Sequence, residues 1–195
     1  KMGKKTCNVV YVHFLPTTLD GSIKMNKFFF NIFKWYVKKF YRKADEVVVV
    51  NPIFIEPLVE IGLKKENITY IPNYVTKEDF YKVSEERRNE IRAKYNLKPN
   101  DFVVLGCGQV QTRKGVKDFV EVAKRHPEKQ FVWAGGFSFG KITDGYKELK
   151  AIMDNPPANV KFIGIIPRSE MNDIFNMTDV LFMPSFAELF PMSIL

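Results

Sequence analysis

Short apolar runs alternate along the chain with longer stretches whose apolar residues recur every three or four positions. Residues 8–12, 45–51 and 68–71 are such runs, bounded by polar or turn residues. This is the pattern of strands buried in a parallel sheet. Between the first two lies 24–43, free of Gly and Pro, which predicts a helix of about five turns. Lys27, Asn31, Lys34, Lys38 and Arg42 share one stripe of it, and Phe29, Phe33, Tyr36, Val37 and Phe40 form the apolar stripe opposite. Pro52 opens a further helix that runs to about Ile61 and stops at Gly62.

Residues 76–98 are charged and helical in composition, with Ser84 as N-cap and Glu85 and Glu86 in the first turn. After a turn at 98–101 the alternation restarts. Strands are expected at 102–105, 130–134, 159–163 and 179–183, with helices beginning near 116, 143 and 169. Steps of roughly 25–30 residues, strand then helix, fit a Rossmann-like sheet. The expected fold class is therefore α/β, with a partial Rossmann-like domain at 1–75, a connection at 76–100 and a second Rossmann-like domain at 101–195. The last strand runs into Pro184-Ser-Phe-Ala-Glu-Leu-Phe-Pro-Met-Ser-Ile-Leu195, a turn that carries Glu188 and is expected to open a helix at about Pro191. Unpaired N–H groups at such a helix start suit a phosphate.

At 195 residues and 46% hydrophobic content the chain can bury a core, and no apolar run in it reaches the length of a membrane span. The net charge of +8 is placed unevenly: residues 1–43 contain ten Lys or Arg and a single acid, Asp20. That asymmetry points to an anionic partner for the first third. In 24–43 further aromatics, Phe28, Phe30, Trp35 and Tyr41, flank the apolar stripe. Basic residues beside aromatics suit the interface of an anionic bilayer. A core helix with solvated lysines is the plain alternative, and a nucleic-acid contact a third. Cys7 and Cys107 border apolar strands and are expected as buried free thiols. No His/Cys cluster has metal-ligand spacing.

Gly106-Cys-Gly108 closes a strand and is followed by Gln109-Val-Gln-Thr-Arg-Lys-Gly115. Gln111 stands where a dinucleotide fingerprint needs Gly, and no Ser or Thr follows Lys114 as a P-loop requires. What remains is a glycine-rich loop with two cations ahead of a helix, which suits a diphosphate or is simply a basic solvated turn. His13 ends the first strand, as a substrate contact or a strand cap. Glu188 is either a ligand for hydroxyls or an ordinary acid near a helix start.

The stretch Pro-Ser-x-x-Glu-x-Phe-Pro-x-x-x-Leu resembles the donor-site signature of the family 4 retaining GT-B glycosyltransferases. In that family a Glu is followed by seven residues and a second Glu. Glu188 matches the first, and the second would fall one residue past Leu195. The chain thus reads as a piece of a longer GT-B protein, with the first Rossmann-like domain incomplete and the second truncated. The loop 109–116, the Gly-Gly at 135–136, the Asn-Val-x-Phe-x-Gly at 159–164 and the Ser-Glu-Met at 169–171 match as well.

The resemblance implies a donor site made by Gly108, Gln109, Arg113, Lys114, Ile163, Gly164, Phe190, Pro191 and Met192. His13 and Glu188 would be catalytic. Gln109 stands where the family usually has Arg. No metal or cofactor is implied, and the donor would be UDP-glucose or UDP-galactose. Several motifs look like those of the Gram-positive members that glycosylate diacylglycerol or glycosyl-diacylglycerol. The implied partners are a nucleotide-sugar, a lipid acceptor and an anionic membrane surface touched by 24–43, with no nucleic acid. The implied location is peripheral, on the cytoplasmic face of the cell membrane. Transfer to a polysaccharide, or a non-catalytic nucleotide-binding or membrane-docking module, is the alternative.

Overall fold

β1 (Val9–Val12), β2 (Glu46–Val49) and β3 (Ile68–Tyr70) pair in parallel in that order, with Tyr11 opposite Val48 and Val48 opposite Thr69. The computed structural model describes residues 6–19, 26–188 and 190–195. The expected loop residues 20–22 and the expected helix start at 24–25 lie outside these. The chain forms two units, Lys1–Tyr74 with Glu188–Leu195, and Val75–Ala187.

In the first unit, α1 (Lys27–Tyr41) starts at Asn26, whose side chain accepts from the Phe28 N–H. A 3-10 turn with Pro52 at its start leads into α2 (Ile55–Glu60). The core gathers Val12, Val37, Tyr41, Val47, Val49, Val50, Phe54 and Leu58, all essentially buried. Tyr41 also donates its hydroxyl to the Phe14 carbonyl at 2.9 Å, and burial raises its pKa to about 12.

The inward face of α1 differs from the expected one. Val37 and Tyr41 are its buried residues, while Phe29, Phe33, Tyr36 and Phe40 are exposed. The inward stripe is narrow and runs through Phe30, Lys34, Val37 and Tyr41, so Lys34 is half-buried and lies over the Phe30 ring at 4.4 Å. With aromatics on nearly every side, periodicity alone could not choose among faces. β1 differs as well. Val10 and Val12 meet the core, whereas Val9 and Tyr11 are exposed. Cys7 is free but exposed, and Cys107 is free and half-buried.

The second unit holds β4 (Val103–Cys107), β5 (Gln130–Ala134), β6 (Val160–Gly164) and β7 (Val180–Leu181), all parallel, in the order β6-β5-β4-β7. Three helices, α4 (Val116–Arg125), α5 (Tyr146–Asp154) and α6 (Met171–Asn176), form the crossovers. α4 turns Val116, Phe119, Val120 and Ala123 inward, as its spacing predicts. Phe119 meets Phe131 and Trp133 edge-on at 5.3 and 5.1 Å.

α3 (Glu85–Lys94) belongs to this unit and does not act as a bare connection. Ser84 caps it by accepting from the Arg87 N–H at 3.2 Å. Its buried side sets Ile91 in the core beside a buried arginine. Arg92, 1% exposed, donates to the carbonyls of Met177, Pro99 and Asp101 at 2.9, 2.5 and 3.1 Å and to Asp179 at 2.9 Å. Arg88 reaches the other Asp179 oxygen at 2.5 Å. Asn172 and Asn176, one turn apart on α6, hold the backbone of Tyr81 and Val83.

Candidate functional site

β4 is flanked by β5 on one side and β7 on the other, so the strand order reverses direction at β4. In open α/β sheets this switch point, at the C-terminal ends of the strands, is where ligands bind. The rim is made of glycines tied together by backbone bonds. Gly108 N–H donates to Ala134 at 2.9 Å, Val110 N–H to Gly136 at 2.9 Å and Gly135 N–H to Gly164 at 2.7 Å. The Trp133 indole N–H donates to the Gly108 carbonyl at 3.1 Å. Gly135 sits at φ +146°, and a Cβ there would lie 1.8 Å from the Gly108 oxygen. Only a residue without a side chain lets the two strand ends meet.

The loop after β4 carries the expected cations. A 3-10 turn, Thr112–Lys114, precedes Gly115, whose φ of +68° starts α4. Lys114 folds back over Gly108. A Cβ on that glycine would stand 3.4 Å from Lys114 Cε and 3.6 Å from its Nζ. Gly108, Gln109 and Lys114 are therefore gathered at one strand end. Arg113 takes a different part: its Nη1 donates to the Ala187 carbonyl, and its own carbonyl accepts from Phe186 N–H at 2.9 Å. It holds the segment that follows β7. Ile163 is half-buried against the core beneath the rim, and Gly164 faces open space at φ +76°.

The other expected residues belong to the first unit. His13 is exposed and stacks on Tyr11 at 5.4 Å. Phe190 packs against that unit's core, and Glu188, Pro191 and Met192 are half-buried. The helix expected at Pro191 is a 3-10 turn, Met192–Ile194, and Pro191 itself has an extended ψ of 94°. Among the described residues no α-helix start stands there to supply a dipole. No metal-ligating cluster and no helix long and apolar enough to cross a membrane is found among the described residues.

Sequence reading passed over Gln111 as a mere departure from a motif. It is 1% exposed, and its Nε2 donates to Gln109 Oε1. The available signal was an amide two residues from another, beside a buried Val110.

The sequence pattern described as Glycosyl transferases group 1 matches residues 87–195. The chain belongs to this family. Among its relatives, the alpha-galactosylglucosyldiacylglycerol synthase of Streptococcus pneumoniae is 49% identical over 95% of the chain and 50% of that protein. The processive diacylglycerol alpha-glucosyltransferase of Acholeplasma laidlawii is 29% identical over 76% of the chain and 46% of that protein. The chain thus spans about half the length of these glycosyltransferases. Anabaena HepE in complex with UDP-glucose superposes at a TM-score of 0.73 with 19% identity, over 93% of the chain and 47% of HepE. WaaG, a glycosyltransferase involved in lipopolysaccharide biosynthesis, gives 0.71 at 14% identity, over 96% of the chain and 52% of WaaG. At those identities the likeness establishes the fold, which is the GT-B arrangement the motifs implied.

Proposed function

We propose that this chain is part of a glycosyltransferase that moves a hexose from a UDP-sugar to a membrane lipid of the diacylglycerol or glycosyl-diacylglycerol class. The observation that carries the donor half is the Lys114 ammonium lying against Gly108, at the sheet's switch point. As the anomeric carbon becomes cation-like, the departing diphosphate gathers negative charge, and an ammonium beside the glycine-rich loop stabilises it without a metal. The first turn of α4 stands behind that loop and adds the positive end of its dipole. Arg113 contributes by fixing the chain that leads to Glu188. Glu188 contacts the sugar hydroxyls, His13 lines the sugar pocket, and Ile163 and Gly164 lie against the base. Glucose or galactose is the sugar.

The lipid acceptor rests on the likeness to the pneumococcal glycolipid synthase and on α1. Phe28, Phe29, Trp35, Tyr36 and Phe40 are exposed there among lysines, and Lys39 lies over the Trp35 ring at 4.9 Å. Aromatics at headgroup depth with a basic surround suit the cytoplasmic face of an anionic bilayer.

Calorimetric titration of the chain with UDP and UDP-glucose tests the donor reading. Lys114→Ala is expected to weaken UDP about tenfold, the scale of one charge-assisted bond. A well-folded sample that ignores UDP, or a Lys114→Ala variant that binds as well as its parent, counts against it. Sedimentation with anionic and neutral vesicles tests the membrane surface, since only the anionic ones should retain the chain.

A further inference from the structure

Gln111 is buried where an apolar side chain would serve packing better. Its sequence neighbour Val110 is a core residue, and its Oε1 is fully buried with no hydrogen-bond partner among the described residues. Thr143 Oγ1 is in the same state, on the loop that brings Gly145 against Thr112. An unpaired buried oxygen is destabilising. A leucine or methionine at 111 would avoid it. What the amide supplies in return is one bond, from its Nε2 to Gln109 Oε1.

That bond decides which end of the Gln109 amide faces outward. A carboxamide has a donor end and an acceptor end. With the oxygen of Gln109 turned to Gln111, its Nε2–H groups turn away, and they make no hydrogen bond among the described residues. The backbone on both sides of Gln109 is pinned, by Gly108 N–H to Ala134 and by Val110 N–H to Gly136. The side chain therefore leaves a fixed base in a fixed orientation, one residue from the glycine that Lys114 covers.

We infer that Gln111 is a positioning residue that locks Gln109 with its amide donor toward the diphosphate of the donor nucleotide. Gln109 thereby replaces a cation by an oriented neutral donor. This deepens the donor-site reading above and rests on it.

The test compares UDP with uridine, which lacks the phosphates, by calorimetry on the whole chain. The unaltered chain should prefer UDP. Gln109→Leu removes the donor and should weaken UDP about five- to tenfold with uridine unchanged. Gln111→Glu offers Gln109 only an acceptor when ionised, so the Gln109 amide reverses and presents its oxygen to the phosphate. UDP should then weaken about tenfold or more, uridine again unchanged. When protonated, the introduced carboxyl donates to Gln109 and restores the original orientation. The ratio of wild-type to Gln111→Glu affinity should therefore grow as pH rises from 5 to 8. In a Gln109→Leu background Gln111→Glu should add nothing, because its effect passes through Gln109.

If Gln111→Glu does not fold, judged by its melting curve, Gln111→Met decides, with an expected loss for UDP of about threefold and none for uridine. Equal losses for UDP and uridine, a flat pH ratio, or an undiminished effect in the Gln109→Leu background overturns the inference while leaving the donor site standing. An unaltered chain with no preference for UDP over uridine overturns the donor site and this inference together.

Discussion

Replacing Arg92 by Met should cost the second unit about 3 kcal/mol. Arg92 is 1% exposed and joins the carbonyls of Met177, Pro99 and Asp101 to Asp179. Methionine fills much of the volume, so the cavity contribution is small. What is lost is electrostatic. Four carbonyls that meet a guanidinium, with Lys98 the fourth at 3.4 Å, lose it, and one carboxylate loses one of its two cations. Removing one partner of a buried pair costs about 3–5 kcal/mol. The lower end applies, because Asp179 keeps Arg88 at 2.5 Å and the Val103 N–H at 2.7 Å, and its side chain is 26% exposed. Arg92→Lys keeps the charge but cannot span all these acceptors at once, so it should recover only part of the loss. Urea unfolding followed by far-ultraviolet circular dichroism measures both. A midpoint for Arg92→Met within about 1 kcal/mol of wild type would refute the claim that this guanidinium organises α3, α6 and β7. Acid supplies a second check. Desolvation raises the Asp179 pKa, but the Val103 N–H, Arg88 and Arg92 outweigh it and hold the pKa below the ordinary value. A lowered folded pKa gives stability that is present above the unfolded pKa, near 4, and disappears as pH falls through the folded value. Asp179→Asn should flatten that acid slope.

Gly135→Ala should destabilise the second unit by more than about 2 kcal/mol, because the methyl would strike the Gly108 oxygen at a φ that alanine disfavours; thermal melting reads it, and a shift as small as that of an exposed substitution would contradict the packed rim. Tyr41 should give an alkaline signature. Its folded pKa of about 12 lies above the unfolded value of about 10, so its contribution is complete below pH 10 and is lost as pH rises toward 12. Tyr41→Phe should remove that part of the slope and cost about 1 kcal/mol at neutral pH for the bond to Phe14, as compared by urea titration at pH 7 and 11.

Much of the fold was legible because strand ends in the second unit coincide with glycines and its helices turn simple apolar stripes inward. Val116, Phe119, Val120 and Ala123 read inward in the sequence and are inward in the molecule. The N-cap at Ser84 was legible for the same reason, a local rule met locally. The inward face of α1 was not, since nearly every position there is aromatic or basic and only packing against Phe14 and the sheet selects Val37 and Tyr41. Arg92 looked like one more charge on a solvated helix, because most of its acceptors are main-chain carbonyls that no sequence displays. Within the site, the cations of the loop could be read, and Lys114 lies against Gly108. The division of labour could not. Arg113 is drawn to Ala187, and Gln111 is known as a partner of Gln109 only once both sit in space.

The strand order β6-β5-β4-β7 also sets a schedule of assembly. On a growing chain β4, β5 and β6 can pair one after another as each emerges, but the other edge of β4 stays open until β7 is made. Parallel pairings of high sequence separation are slow to form, and an open strand edge invites association with other chains. The counter-charge for Arg92 arrives with Asp179, 87 residues later. Nascent chains that end before it expose both an unpaired edge and an uncompensated guanidinium, so chaperone dependence and premature-stop toxicity should concentrate upstream of residue 179.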